Sequence, residues 1–162
     1  PELAGKEDVI PGQHNSLSFT PKTPGTYIGE CAEFCGIEHA KMGFVVIVES
    51  DTDFTRWVTR EQLTPSPPDG EGAAEGEAAF QRDSCSGCHT VRGTPATGTT
   101  GPDLTDFGER ETIGARTLVN TPSNLAAWIP DVQKFKPGAL MPRIEISSRD
   151  LSNIVSYLEG LK

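Results

Sequence analysis

The sequence has 162 residues, of which 17 are glycine, 13 are proline and 35% are hydrophobic, leaving room for one domain or two small loop-rich modules but not for one large core. Its formal net charge of −9 argues against nucleic acid, whose phosphates would repel it, and suits a basic protein surface instead. No apolar run approaches the length needed to cross a bilayer.

The opening PELAGKEDVIPGQ has neither a methionine nor a capping motif, does not begin a signal peptide, and reads as a cut made inside something larger. Asn15–Phe19 (NSLSF) alternates, with Leu17 and Phe19 on one face, which predicts a strand. KTPGTYIGE then carries a Pro24-Gly25 turn into a β-prone run, and Gly43–Ser50 (GFVVIVES) is a short apolar strand. Asp51, Thr52 and Asp53 offer a cap ahead of Phe54, Trp57 and Val58 at i, i+3 and i+4, the spacing of a short helix. Residues 64–72 (TPSPPDGEG) lack any large apolar side chain and read as an interdomain linker, extended in its Pro-rich part. Beyond it the periodicity becomes helical. AAEGEAAFQR is a helix former, Thr121 and Pro122 are the N-cap and first position of a second helix, and Leu151, Ile154, Val155 and Leu158 form the apolar stripe of a third. GTPATGTTGPDL between them is loop.

Two clusters use the scarce residues of this chain, which has four cysteines, three histidines and two methionines. In the second half, Cys85, Cys88 and His89 form CSGCH, the attachment signature of a c-type haem. Two thiols three positions apart reach the two vinyl groups of one porphyrin, and the adjacent imidazole lies on the ring face to ligate iron. Zinc would want a second ligand pair nearby, and a redox dithiol would want a βαβ setting; neither is present. Met141, in GALMPR, is the candidate sixth ligand, and Met/His ligation gives an electron carrier with no open position for oxygen. In the first half, Cys31, Cys35, His39 and Met42 crowd the loop between two predicted strands. A disulfide, a zinc site and a copper site are the competing readings. Zinc has little use for a thioether, whereas copper accepts thiolate, imidazole and thioether together, so copper is favoured.

The pieces CSGCH, GPDL, NLAAWIPDVQKFKPG, ALMPR and LSNIVSYLEGLK make residues 73–162 resemble the class I cytochromes c. The resemblance implies Cys85 and Cys88 as haem thioethers, His89 and Met141 as axial ligands, and a Pro102 carbonyl supporting His89. It also places Trp128 near the haem propionates, and Phe80 with Tyr157 at the crossing of the first and last helices. Those three aromatic residues would serve mostly as core.

GTYIGECAEFCGIEHAKMGFVVIV, in turn, is similar to the copper A loop of the cytochrome c oxidase subunit II family. The similarity implies two coppers bridged by Cys31 and Cys35, with His39 and Met42 as terminal ligands and Glu33 giving its backbone carbonyl. The Glu33 side chain would face a magnesium site shared with subunit I. The family's second histidine ligand would precede Pro1, as would its transmembrane hairpin. His14, in PGQHNSL, aligns with a turn and reads as a solvent-exposed histidine, not as a ligand.

The expected architecture is therefore a partial all-β cupredoxin-like Greek-key barrel over residues 1–63, the linker at 64–72, and a small all-α class I cytochrome c domain over 73–162. Together the resemblances imply subunit II of a bacterial haem–copper oxidase with a cytochrome c fused to its carboxy terminus. It would sit on the outer face of the plasma membrane, where thiols are otherwise oxidised. Electrons would pass from a donor, such as a cytochrome c or a bc complex, through haem c and copper A to subunit I, where oxygen is reduced and protons are pumped. This chain would carry electrons without itself reducing oxygen. Two other classes fit the residues: a soluble copper/haem electron shuttle, or a metal-free β-module with a Cys31–Cys35 disulfide that presents a cytochrome.

Overall fold

The computed structural model describes Leu3 and residues 5–162; Pro1, Glu2 and Ala4, in the opening stretch expected to be an internal cut, lie outside the described residues. The chain forms two compact units, Pro1–Gln62 and Leu63–Lys162.

In the first unit, β-branched and aromatic residues build strands β1 (Gly25–Glu30) and β2 (Gly43–Val48). They pair antiparallel from Gly25 opposite Val48 to Glu30 opposite Gly43. Gly29 is needed in this register, because the Phe44 ring occupies the space a Cβ there would take. The helix expected next is α1 (Asp51–Glu61), but its cap is Ser50, one residue before Asp51, Thr52 and Asp53. Ser50 Oγ accepts from the Asp53 amide at 3.2 Å and donates to the Asp53 carboxylate at 2.7 Å, a reciprocal pair that satisfies the first turn.

No closed barrel is found among the described residues. β1 and β2 form a sheet of two strands, and Asn15–Phe19, expected as a strand, has no regular structure. The physical reason is the lack of a second layer. Alternation at Leu17 and Phe19 marks a face only if something covers it, and both side chains are about half exposed. Ile28, Phe44 and Ile47 on the hairpin are exposed for the same reason.

The second unit holds the core. Helix α2 (Ala73–Arg82) crosses α4 (Ser148–Gly160), which Ser147 caps by accepting from the Asp150 amide at 3.1 Å. The crossing is close because Gly76 has no side chain: a Cβ there would collide with the Asn153 backbone. Phe80 and Tyr157 meet at this crossing with ring centroids 5.8 Å apart, both fully buried beside Ile154 and Leu158. Helix α3 (Pro122–Trp128) starts as expected, Thr121 Oγ1 accepting from the Asn124 amide at 3.2 Å with Pro122 at the first position. A hairpin that the sequence pattern did not suggest, β3 (Thr112–Ile113) and β4 (Leu118–Val119), turns through Gly114, Ala115 and Arg116, all left-handed at φ 63°, 58° and 69°. Two successive non-glycine residues at positive φ are rare, and nothing in their side chains announces them.

The Pro-rich stretch also differs from expectation. Pro65–Pro68 line a recess with Val91, Tyr157 and Leu161, and the Pro68 ring approaches the Cβ position of Gly160 to 2.5 Å. Proline rings are apolar and already stiff, so they pack at small entropic cost without any large side chain.

Burial, with the Glu77 carboxylate as a smaller cause, pushes the Tyr157 phenol up to about 12 from 10.0. Between those values the folded chain holds a proton that the unfolded chain has lost, so stability is unaffected below pH 10 and falls as pH rises towards 12. Tyr157→Phe should lack this component. Chemical denaturation of both proteins at pH 9 and pH 11.5 should show the gap in stability shifting in favour of the phenylalanine variant; a gap independent of pH would refute the assignment.

Candidate redox centres

The haem-attachment motif is presented by an abrupt end to α2. After Arg82, Ser84 adopts a left-handed conformation, φ 65°, and turns the chain into a short 3-10 turn, Cys85–Gly87. The Cys88 and His89 amides both donate to the Cys85 carbonyl, at 3.1 and 3.0 Å. Cys85, Cys88 and His89 are thus gathered on one turn. Both cysteines are free thiols; Cys88 is exposed, while Cys85 is half-buried against the core. Burial, helped by the Asp83 carboxylate, pushes the Cys85 thiol up.

His89 Nδ1 lies 2.8 Å from the Pro102 carbonyl, so Nδ1–H donates to it and the Nε2 lone pair is left available. Gly101, whose own amide donates to the Cys88 carbonyl at 2.7 Å, forms the wall behind the ring. A Cβ on Gly101 would stand 2.6 Å from His89 Cε1. An imidazole held through Nδ1, next to two unbridged thiols on one turn, fits covalent haem c. Met141 comes from a separate loop after α3 and is half-buried. Trp128 stacks on Phe135 at 6.0 Å and closes over Gly114, where a Cβ would strike its ring.

The second centre occupies the loop that joins β1 to β2. The Cys31 amide donates to the Met42 carbonyl at 2.9 Å, closing residues 31–42 at the hairpin's base. Gly36, at φ 128°, lets the loop reverse, and a single 3-10 turn, His39–Lys41, brings His39 back. Cys35 Sγ is then 3.6 Å from Cys31 Sγ, 3.9 Å from His39 Nδ1 and 3.8 Å from Met42 Sδ. The Glu33 carbonyl lies 3.0 Å from Cys31 Sγ. The sulfurs are too far apart to be bonded, since a disulfide needs about 2.05 Å, and neither cysteine is in a disulfide. All five donors expected from the sequence therefore converge: two thiols, one imidazole, one thioether and one carbonyl. Soft sulfur mixed with imidazole fits copper better than zinc or a hard cation. Cys31, Cys35 and His39 form a candidate metal cluster among the described residues; His14 is exposed and lies outside it.

The Glu33 carboxylate points elsewhere and is paired with Lys6, whose ammonium also reaches Asp8 at 3.5 Å. The hydrogen bond to Glu33, with Asp8 adding to it, raises the Lys6 pKa.

Sequence reasoning missed Gly101 and Gln133, which hold the expected ligands from behind. Gly101 carried a weak signal in its place directly before Pro102. Gln133 carried none.

Residues 73–162 match the family model of cytochrome c, and residues 1–50 match that of the cytochrome c oxidase subunit II periplasmic domain. Over its full length the chain is 39% identical to cytochrome c oxidase subunit 2 of Alkalihalophilus pseudofirmus, of which it covers 47%, and 35% identical to that of Bacillus sp. strain PS3, of which it covers 48%. It thus spans about half the length of the curated relatives it matches. Among solved structures, cytochrome c2 of Paracoccus denitrificans aligns with 56% of this chain and 94% of its own, at 22% identity and a TM-score of 0.40. The chain belongs to the cytochrome c family, whose model takes in residues 73–162, more than half of its length.

Proposed function

We propose that this chain is the electron-transfer portion of subunit II of a bacterial haem–copper cytochrome c oxidase, working beside subunit I on the outer face of the plasma membrane. The observation that carries the reading is the convergence of Cys31, Cys35, His39, Met42 and the Glu33 carbonyl in one loop, in a chain that also carries Cys85-Cys88-His89. When bound, haem c and a copper pair supply one-electron carriers that link a donor, such as a cytochrome c or bc complex, to oxygen reduction and proton pumping in subunit I.

Cys85 and Cys88 would hold the haem by thioether bonds, and His89, its tautomer set by the Pro102 carbonyl, would ligate the iron together with Met141. At the other centre, Cys31, Cys35, His39, Met42 and the Glu33 carbonyl would hold the copper. The fixed loop base keeps those donors from rearranging between oxidation states, which lowers the cost of each transfer. The surroundings of the first unit would form the rest of a cupredoxin-like barrel. Magnesium at the Glu33 carboxylate would have to displace the Lys6 ammonium. No helix among the described residues is long and apolar enough to cross a membrane.

Thiol titration and copper analysis of this chain test the reading. Its loop offers one imidazole, whereas a copper pair needs two, so the expected result is two free thiols in the first unit and weak or single-copper binding, strengthened by free imidazole. Tight binding of two coppers without imidazole would refute the ligand count. A Cys31–Cys35 disulfide with no copper uptake after reduction would leave a metal-free module, and the proposal would fail.

A further inference from the structure

Met141 sits in a loop without regular structure, and one side chain binds the backbone of that loop at three points. Gln133 Nε2 donates to the Ala139 carbonyl at 2.8 Å and to the Met141 carbonyl at 3.2 Å, while Gln133 Oε1 accepts from the Gly138 amide at 2.9 Å. Gly138 is left-handed, φ 85°, with nothing within 4 Å of its Cβ position, so the turn itself supplies no packing. Beyond the methionine, Arg143 donates to the buried Asp131 carboxylate at 2.6 Å, and the Ile144 amide donates to the Pro130 carbonyl at 3.0 Å. The loop is therefore pinned downstream by Asp131 and Pro130, and through Gly138–Met141 by Gln133.

We infer that Gln133 is a positioning residue for the sulfur ligand of the haem iron, holding the Met141 backbone so that the thioether is presented in one geometry. This rests on Met141 being the sixth ligand. A thioether is a weak, neutral ligand, so its occupancy depends on how well the loop that carries it is ordered before bonding. Without Gln133, the Ala139 and Met141 carbonyls lose their donor and the Gly138 amide its acceptor. The loop can then swing out and leave the iron to an external ligand.

The test is imidazole titration of the ferric, haem-loaded chain, together with the weak red charge-transfer band that reports sulfur-to-iron bonding. Gln133→Ala should weaken the band and raise the apparent affinity for imidazole roughly tenfold, the scale of one or two lost hydrogen bonds. Gln133→Glu keeps the acceptor for Gly138 but loses both donors, and should move the same way; it decides the matter if the alanine variant does not fold. Asn120→Ala is the control. It removes two comparable side-chain bonds elsewhere, to the Phe107 and Arg110 carbonyls at 3.1 and 2.9 Å, and should lower stability without changing imidazole affinity.

Wild-type imidazole affinity in the folded Gln133 variants, or an equal gain in Asn120→Ala, would overturn the inference. If the wild type shows no sulfur band, or Met141→Ala retains it, the assignment of Met141 fails first and the inference falls with it.

Discussion

Replacing Cys85 and Cys88 together with alanine should leave no covalently held haem, so that acid–acetone extraction removes all pigment from the protein. The wild type should retain all of it in the precipitate. Each single replacement should retain haem through the remaining thioether, with the position of the pyridine haemochrome band reporting one unsaturated vinyl group. The geometry makes the pair specific. Both thiols lie on one 3-10 turn, unbridged, with His89 tied to the Cys85 carbonyl and to Pro102. Loss of haem should also reduce helical content, because Cys85 packs against the core that α2 and α4 share. Pigment left in the precipitate of the double variant would place the attachment elsewhere.

The second large effect concerns Cys35. Its sulfur is within 4 Å of the other thiol, the imidazole and the thioether. Cys35→Ser should therefore abolish copper uptake even with free imidazole present, since a hydroxyl is neither soft nor ionised at neutral pH. Met42→Leu removes one neutral donor and should weaken uptake by no more than about a hundredfold, the upper range for losing a single supporting ligand group. Equal losses in the two variants, read by copper analysis after dialysis, would show that the sulfurs do not share one centre.

Much of this was legible in the chain because the chemistry is local. Cys85-Cys88-His89 fits a single turn, and Cys31, Cys35, His39 and Met42 fit one loop, so spacing carries most of their geometry. The helix start at Thr121 was readable for the same reason, its cap acting within three residues. What sequence did not reveal depends on distant partners. Alternation at Leu17 and Phe19 predicts a strand only where a neighbouring strand pairs with it, and among the described residues β1 and β2 pair only with each other. The left-handed run at Gly114–Arg116 is imposed by the hairpin it closes and by Trp128 above it, not by its own side chains. Pro65–Pro68 read as a spacer because proline has no long side chain, yet rigid rings find a surface as readily as flexible ones.

The crossing of α2 over α4 sets an order of events during biosynthesis. Gly76 and Asn153 touch across almost the whole length of the second unit, so this contact can close only after the chain has been made to the end of α4. Until then the turn carrying Cys85 and Cys88 has no core to pack against. The Cys85 thiol, half-buried against the core in the folded unit, is consequently more accessible before the helix pair closes than after it.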